Sequence, residues 1–434
     1  MKIYAVAGSP VFHSRSPVMF NAAFRALGVD SHYVRLSAAT AREVVASARA
    51  MGMGGLNVTS PFKTDIMGYL DGVEADARQV GSVNTVVRRD GRLIGSNTDV
   101  AGVQGALGSA GFQPRGRKGV VLGVGGAARA AAFALVSAGA RVILANRTFG
   151  KARDAAQDLG CEAASLDDLP KALKEADLLV SAIPSGAPVV DPSLLRPDLV
   201  VLDALYEKPT ALIMDAANAG CTVIDGREWF LSQAAPAFTL FTGLPAPHAH
   251  MRKALWKRRG DSRRNIALIG FMGTEKTAVG EALARRSGLT FTDVDRRIEE
   301  RSGASVAEIF DRSGEGAFRR MEQEEIDGLR LVTHQVASCG GDAVLNRANV
   351  RVLRNTCLSI WLWADRQTIL ERTGRTDERP LHAGPDAGAT VETLLRERLP
   401  LYAATSDLVI NTEGKDAEEI AQRMWDEVRH AFGD

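Results

Sequence analysis

Short apolar runs alternate with helical patterns over the middle of the chain, from residue 102 to residue 225. The runs fall at residues 120–122, 142–145, 178–180 and 199–202 and around Val223, and alanine-rich segments separate them. Runs of this length between helical segments are typical of buried parallel strands joined by crossover helices. The pattern therefore predicts an α/β fold whose parallel sheet is covered by helices on both faces.

A strand–loop–helix pattern opens the chain. Residues 3–6 form an apolar run, and the loop after it ends at Ser14-Arg15-Ser16-Pro17. Apolar residues then recur at helical spacing, at Phe20, Ala23, Phe24 and Leu27. We expect Ser16 to cap this helix and Pro17 to be its first residue. Ser14 is not needed as a cap, so the two hydroxyls of this loop are suited to binding a polyhydroxylated ligand.

Two later segments are also predicted to be helical. Residues 230–243 have helical spacing of apolar side chains, with Pro236 expected to kink the helix. Residues 416–432 begin with an Asp-x-x-Glu pattern typical of a capped helix start. Their apolar stripe consists of Ile420, Met424, Val428 and Phe432. We interpret this last helix as a packing element only.

Composition narrows the class of protein. A chain of 434 residues with 45% apolar and 24% charged residues is typical of two or three globular domains. The formal net charge of +1 argues against a nucleic-acid partner. No run of about eighteen apolar residues occurs, so we expect no membrane contact. The four cysteines are scattered, which favours a reducing compartment and predicts a cytoplasmic protein.

A glycine-rich turn follows the strand at residues 120–122. Gly123, Gly125 and Ala128 fit the dinucleotide pattern G-x-G-x-x-[GA], which places a diphosphate at a helix N-terminus. The next strand ends at Asn146-Arg147-Thr148, where an NAD site would place an acidic residue. Arg147 is suited to a 2′-phosphate instead. The sequence therefore favours NADP as the cofactor.

Polar side chains return three times at predicted strand ends in the first hundred residues. The clusters are Asn57, Thr59 and Lys63; Asn84 and Thr85; and Asn97, Thr98 and Asp99. Each cluster alone is compatible with ordinary turn chemistry. Together they predict a pocket for a small polar substrate, in which amides and hydroxyls orient the ligand while one ammonium and one carboxylate move a proton.

The first part of the chain, to about Gly243, resembles shikimate dehydrogenase. The motifs AGSPVFHSRSP, GGLNVTSPFK, SVNT, IGSNTD, VLGVGGAARA, NRT and GREWFLSQA occur in the family's order. The resemblance implies a substrate lobe at residues 1–101 and 229–255, a Rossmann NADP lobe at 102–228, and the reduction of 3-dehydroshikimate to shikimate. It leaves open a sister activity on quinate.

The same resemblance implies roles for individual residues. Lys63 is the expected proton-transfer residue, working beside Asp99. The expected substrate-binding residues are Ser14, Ser16, Thr59, Asn84, Asp99, Tyr206 and Gln233. The expected cofactor-binding residues are Gly123, Val124, Gly125, Gly126, Ala127, Asn146, Arg147, Thr148 and Gly226. Two departures from the family lie at Val100, where glycine is usual, and at residues 181–184.

A basic stretch at residues 256–264, read as a linker, precedes a new pattern. The strand at residues 266–269 runs into Gly270-Phe-Met-Gly-Thr-Glu-Lys-Thr277, the position of a phosphate-binding loop. From residue 265 to 434 the chain resembles shikimate kinase, which implies a P-loop NTPase-type α/β domain. By that resemblance Gly273, Lys276, Thr277 and Arg379 bind ATP, Thr277 and Asp293 bind Mg²⁺, and Asp295, Arg319, Gly341 and Arg398 bind shikimate.

Two acidic residues depart from the kinase pattern. Glu275 replaces the glycine before the lysine, which costs roughly 1–2 kcal/mol if the backbone there is left-handed, and its carboxylate repels phosphate oxygens. Asp342 replaces the third glycine of a Gly-rich turn, which we rank as the milder change. Two alternatives stay open: a bifunctional enzyme that reduces and then phosphorylates, or a dehydrogenase whose second domain only binds ligand or stabilises the assembly.

Overall fold

The structure is a computed structural model that describes residues 1–183, 189–257, 263–374 and 387–432. The chain forms two compact units. Unit 1 consists of Met1–Pro17, Asp30–Met53 and Arg258–Asp434, and unit 2 consists of Val18–Val29 and Gly54–Lys257. These units differ from the domains predicted from the motifs, which stay predictions.

The strands are, in chain order, β1 (Lys2–Gly8), β2 (Ser31–Ser37), β3 (Gly55–Val58), β4 (Gly72–Val73), β5 (Thr85–Arg89), β6 (Arg92–Ser96), β7 (Lys118–Leu122), β8 (Arg141–Ala145), β9 (Glu162–Ala164), β10 (Leu178–Ser181), β11 (Val200–Asp203), β12 (Thr222–Ile224), β13 (Asn265–Ile269), β14 (Thr290–Asp293), β15 (Gln335–Ser338), β16 (Cys357–Trp363) and β17 (Leu408–Asn411).

The α-helices are, in chain order, α1 (Ser16–Leu27), α2 (Ala41–Ala50), α3 (Ala75–Val80), α4 (Asp99–Ser109), α5 (Gly126–Ser137), α6 (Phe149–Leu159), α7 (Leu169–Lys174), α8 (Ala211–Asn218), α9 (Gly226–Thr242), α10 (His248–Trp256), α11 (Lys276–Ser287), α12 (Val294–Ser302), α13 (Val306–Ser313), α14 (Glu315–Gly328), α15 (Arg347–Thr356), α16 (Arg366–Thr373), α17 (Ala387–Thr405) and α18 (Ala417–Val428). None of these described helices combines the length and the apolar character that crossing a bilayer requires.

Unit 2 holds a parallel sheet in the order β12-β11-β10-β7-β8-β9. Successive residues of β7 alternate between two apolar clusters: Val121 packs into one, and Val120 and Leu122 pack into the other. A strand whose neighbouring residues are buried on opposite faces lies in a sheet covered on both sides. The α/β fold predicted from the apolar runs is confirmed.

A smaller group of strands in unit 2 carries the polar clusters. Strand β5 pairs antiparallel with β3 and with β6, and β4 pairs parallel with β6. Helix α9 begins at Gly226, four residues before the predicted start, because the Asp225 side chain accepts a hydrogen bond from the Arg227 N–H. Pro236 lies inside this helix, as the sequence predicts.

Unit 1 holds a parallel series of strands in the order β14-β15-β13-β16-β17-β2-β1. Strand β13 is buried at every residue and leads into the glycine-rich turn before α11. At the other end of this series, β17 pairs in parallel with β2, through Val409 opposite Leu36 and Ile410 opposite Ser37. The first strands of the chain therefore extend the sheet that its last third forms.

Two predicted helix starts can be compared with the structure. Asp416 and Glu419 form a capping box at the start of α18, as the Asp-x-x-Glu pattern predicts. Helix α1, however, begins at Ser16 itself, and the Ser16 N–H donates to the Ser14 hydroxyl at 3.3 Å. The prediction that Ser16 caps this helix and Pro17 is its first residue is therefore wrong by one position.

Gly226 is required by close packing. A Cβ at this position would lie 2.3 Å from the carbonyl oxygen of Leu205 and 2.6 Å from that of Asp203. We expect Gly226→Ala to lower the free energy of unfolding by about 1–3 kcal/mol, because backbone must move to accept the methyl group. Gly150, in α6, has open space around its Cβ position and provides the control. Urea unfolding checks both, and equal stability of Gly226→Ala and Gly150→Ala would contradict the prediction.

Candidate active site

An ion pair lies at the centre of the polar clusters of unit 2. Lys63 Nζ lies 2.5 Å from Asp99 Oδ2, and the two side chains are 17% and 8% exposed. The Lys63 carbonyl accepts a hydrogen bond from the Val83 N–H at 2.8 Å. Asp99 is the first residue of α4, and its N–H donates to Asn97 Oδ1 at 3.0 Å. The backbone of each of these two charged residues is therefore anchored by a hydrogen bond.

Asn84 connects the other polar residues of this site. Its Oδ1 accepts the Thr98 N–H at 2.7 Å, and its Nδ2 donates to Gln233 Oε1 at 3.2 Å. Gln233 lies on α9, far along the chain, and close packing of α9 against α4 brings it here: a Cβ at Gly102 would lie 2.7 Å from Gln233 Cβ. The structure thus brings Asn84, Asp99 and Gln233 together, which are three of the predicted substrate-binding residues.

The glycine turn between β7 and α5 fits a dinucleotide. Gly123 has φ +105°, and a Cβ there would lie 3.0 Å from the Ala182 carbonyl oxygen, so glycine is required. The turn leaves open space at Gly125, and the N-terminus of α5 presents free N–H groups to a diphosphate. Val124 and Ala127 pack onto the apolar cluster behind the turn, which leaves the backbone to bind the ligand.

The turn and the ion pair are adjacent in unit 2. A Cβ at Gly126, the first residue of α5, would lie 3.0 Å from both Cβ and Cδ of Lys63. A dinucleotide on this turn would therefore extend beside the Lys63 side chain. Val100, where the related family has glycine, packs against the apolar cluster on which Val124 and Ala127 also pack. That substitution leaves the ion pair in place.

The segment after β8 presents a cation to solvent. Asn146 Nδ2 donates to the Thr148 carbonyl at 3.1 Å, and Thr148 precedes the first turn of α6. Arg147, between them, is exposed and has no hydrogen bond or ion pair within the part of the chain that the structure describes. A free guanidinium at this strand end is suited to a phosphate group.

The other predicted residues of the dehydrogenase part make contacts of their own. Ser14 and Ser16 are buried in unit 1, with their hydroxyl oxygens 3.3 Å apart. Thr59 follows β3 and accepts the Phe62 N–H through its carbonyl. The Tyr206 ring stacks on Phe230 at 4.2 Å. Residue 184, the end of the second departure from the family, lies outside the described residues.

In unit 1 the turn between β13 and α11 occupies the position of a phosphate-binding loop. It carries the Glu275 side chain where such a loop has glycine. Glu275 has φ +63°, which confirms the left-handed backbone on which its predicted cost depends. Its carboxylate is half-exposed and lies 3.9 Å from Arg372 Nε. Arg372 also donates to the carbonyl of Gly273, at 3.1 Å. A cation therefore partly neutralises the charge that we expected to face phosphate.

The remaining nucleotide-binding positions are close together. Lys276 Nζ donates to the Phe271 carbonyl at 3.0 Å, and the Thr277 hydroxyl donates to Asp293 Oδ2 at 2.7 Å. This hydroxyl and carboxylate are the pair predicted for Mg²⁺. Among the described residues no group of three or more His, Cys, Asp or Glu side chains is arranged to hold a metal. Arg379 lies outside the described residues.

The Asp342 carboxylate lies between two arginines of the predicted shikimate site. One of its oxygens lies 2.5 Å from Arg319 Nη2, and the other lies 2.5 Å from Arg398 Nη2. These are the two arginines predicted to bind the carboxylate of shikimate. The sequence ranks Asp342 as the milder departure, but it could not show that its carboxylate would reach both cations.

Further acidic side chains surround the same arginine. Burial raises the pKa of Glu322 to about 7, although Arg319 beside it, 3.3 Å away, opposes the shift. Burial lowers the pKa of Arg319, but Glu322, Asp342 and Glu315 outweigh it, so the guanidinium stays charged. Gly341 accepts a hydrogen bond from the Tyr402 hydroxyl at 2.6 Å. A Cβ at Gly340 would lie 3.3 Å from Asp295 Oδ1, which places the predicted Asp295 at the same site.

Sequence reasoning missed two contributions to these sites. Thr98 joins the Asn84 network through its hydroxyl, 3.3 Å from Gln233 Oε1, although the sequence assigned it no role beyond membership of a cluster. Glu427 is buried on α18, which was interpreted as a packing element only. Its position three residues after Met424 and seven after Ile420 puts it on the apolar face, and that spacing was the available signal.

Three family models match the chain. They are the shikimate dehydrogenase substrate binding domain over residues 6–86, shikimate / quinate 5-dehydrogenase over 108–216, and shikimate kinase over 272–429. Among characterised relatives, the shikimate dehydrogenase (NADP(+)) of Halobacterium salinarum is 44% identical over 266 residues, which is 59% of this chain and 100% of that protein. That of Pyrococcus abyssi is 40% identical over 266 residues, 60% of this chain and 99% of that protein.

Solved structures show the same similarity. Shikimate 5-dehydrogenase from Thermus thermophilus, in complex with NADP(H) and shikimate, is 35% identical with a TM-score of 0.54. That match covers 59% of this chain and 98% of the other. Quinate dehydrogenase from Corynebacterium glutamicum, in complex with NAD, is 29% identical with a TM-score of 0.55, and the match covers 59% and 99%.

The fold and the site define a Rossmann-type oxidoreductase joined to a P-loop domain. The relatives place it more narrowly. The chain belongs to the shikimate dehydrogenase family, and a shikimate kinase domain follows the dehydrogenase part.

Proposed function

We propose that this chain catalyses the reversible, NADP-dependent reduction of 3-dehydroshikimate to shikimate. The observation that carries the proposal is the Lys63–Asp99 ion pair beside Gly126 of the dinucleotide turn. A charged proton donor next to the place where a nicotinamide cofactor binds is what carbonyl reduction requires. Asn84 and Gln233 supply amide groups that orient a polyhydroxylated ring.

Each residue has a distinct task in this reaction. The nicotinamide supplies or accepts the hydride. Lys63 stabilises the negative charge that develops on the substrate oxygen and delivers a proton to it. Asp99 accepts a hydrogen bond from a substrate hydroxyl and fixes the position of the Lys63 ammonium. Asn97 holds Asp99 at the helix start, so the carboxylate is in place before substrate binds.

Shikimate and NADP are preferred here over quinate and NAD. Arg147 is exposed at the end of β8, where it can pair with a 2′-phosphate that NAD lacks. The named relatives at 40% and 44% identity are NADP-dependent shikimate dehydrogenases, whereas the quinate dehydrogenase is 29% identical. We also propose that the protein acts in the cytoplasm on small molecules, without nucleic acid or membrane as a partner.

We propose further that the shikimate kinase domain is a degenerate kinase. The Asp342 carboxylate forms ion pairs with both Arg319 and Arg398. The carboxylate of shikimate would have to compete for these arginines with an anion that is covalently part of the chain. Glu275 adds a left-handed side chain and a negative charge to the phosphate loop. With Asp342 and Glu275 in these positions, the domain does not fit ATP and shikimate as bound partners.

Lys63→Ala tests the dehydrogenase directly. We expect kcat for shikimate-dependent NADPH formation, followed by absorbance, to fall about 10²–10⁴-fold, because the proton-transfer group is lost. NADP⁺ affinity, measured by calorimetry, should stay within about twofold. Lys118 is a matched control, since it is 18% exposed and also ion-paired, with Glu175. Unchanged kcat in Lys63→Ala, or an equal loss in Lys118→Ala, would refute the role of Lys63.

Arg147→Ala tests the choice of cofactor. Losing a charged contact to the 2′-phosphate should raise KM for NADP⁺ about 10–100-fold, and KM for NAD⁺ should change by less than about twofold. Arg153, also exposed and on α6, provides a control whose pairing with Asp154 is remote from the strand end. An equal rise of KM for both cofactors would show that Arg147 does not bind the 2′-phosphate selectively.

Asp342→Gly and Glu275→Gly together test the degenerate kinase. We expect no shikimate-dependent ADP release from the unmodified chain and a measurable rate from the double variant, because the arginines and the phosphate loop are both freed. Asp342→Asn separates charge from size, since it removes the anion and keeps the volume. Shikimate-dependent ADP release by the unmodified chain at about 1–100 s⁻¹, a rate typical of kinases, would contradict the proposal.

A further inference from the structure

The loop that carries Ser14 and Ser16 is held by the far end of the chain, within unit 1. Glu427, on α18, is 5% exposed, and its Oε2 accepts hydrogen bonds from the N–H groups of Val11 and Phe12, both at 2.8 Å. We name residues 9–16 the serine loop. A buried carboxylate that accepts two backbone N–H groups fixes both the position and the orientation of the peptide it binds.

A second contact holds the same loop at Ser14. Arg35, buried on β2, donates to the Ser14 carbonyl through Nε at 3.0 Å and through Nη2 at 2.7 Å. Its third nitrogen, Nη1, donates to the backbone carbonyl of Asp407 at 3.1 Å. One guanidinium therefore links the serine loop to the residue immediately before β17.

Asp407 is itself fixed within the shikimate kinase domain. Arg263 binds its carboxylate through two nitrogens, at 2.7 and 3.0 Å, and the Ser359 N–H donates to it at 3.0 Å. Strand β17 then pairs with β2, the strand that carries Arg35. The loop, β2 and the end of the kinase domain are thus connected by one series of hydrogen bonds.

We infer that the kinase domain serves as a brace for the serine loop and that Glu427 is a positioning residue for Ser14 and Ser16. The inference rests on the proposed function, since it assigns these hydroxyls to the ring of a polyhydroxylated acid. A binding hydroxyl displaced by a fraction of an ångström loses much of its hydrogen bond. In this domain Asp342 occupies the position between the two arginines. Support of the serine loop would then be the contribution of the domain to the dehydrogenase.

Glu427→Ala removes the acceptor of two N–H groups and is the main test. We expect KM for shikimate to rise about tenfold or more, while kcat and KM for NADP⁺ change by less than about threefold. Glu427→Gln keeps an oxygen that can face the same two N–H groups, so it should restore KM to within about threefold of the unmodified chain. Hydrogen exchange of the Val11 and Phe12 amides should speed up in the alanine variant and far less in the glutamine variant.

Glu43 provides a matched control in the same region. It lies on α2 and accepts ion pairs from Lys415 and Arg423, both at 3.1 Å, so it also joins the first residues of the chain to the kinase domain. Neither of these two ion pairs involves the serine loop. Glu43→Ala should lower the melting temperature and leave KM for shikimate within about twofold.

The outcomes separate the two proposals. An unmodified full-length chain that forms no NADPH from shikimate contradicts the proposed function. With that activity present, an unchanged KM in Glu427→Ala overturns the brace, and so does an equal rise of KM in Glu43→Ala. Faster amide exchange in Glu427→Ala without a change of KM shows that the contact holds the loop but does not position the serines, which also overturns the inference. If Glu427→Ala does not fold, Glu427→Asp takes its place in the comparison with Glu43→Ala, because its side chain is one methylene shorter and withdraws the acceptor oxygen from the two N–H groups.

Discussion

The ion pair of Lys63 and Asp99 is the interaction on which the proposed dehydrogenase chemistry depends. Lys63 and Asp99 come from different polar clusters, and each needs the other because a mostly buried charge without a partner is strongly unfavourable. The pair lies against the first residue of α5, where the glycine turn presents free N–H groups. In the proposed function the substrate oxygen, the proton and the cofactor would meet in one small region, which is the geometric condition for hydride transfer coupled to proton transfer.

The need of a buried charge for a partner also accounts for the contacts of Asp342 in the shikimate kinase domain. The guanidinium groups of Arg319 and Arg398 both contact one position. Two cations so near each other require an anion between them. Asp342 supplies that anion, with one carboxylate oxygen at each arginine. The sheet of this domain is extended by the first strands of the chain, through the parallel pairing of β17 with β2.

Many elements of the fold could be predicted from the sequence, because the signals for them lie within short stretches of the chain. Strands β7, β8 and β10 follow from apolar runs, the dinucleotide turn from Gly123 and Gly125, and α18 from its capping pattern, because each signal lies within a few residues. Asp342 and Glu427 could not be placed in the same way. Their partners lie from about twenty to more than four hundred residues away, and hydrophobic periodicity does not report which charges meet.

The most direct test is a crystal structure of the full chain with NADP⁺ and shikimate bound. The account predicts the pyrophosphate at the N-terminus of α5 and a shikimate hydroxyl oxygen within about 3.2 Å of Lys63 Nζ, with the nicotinamide ring within reach of the same carbon. Shikimate bound away from Lys63 and Asp99, with the cofactor in its place on the turn, would contradict the central claim.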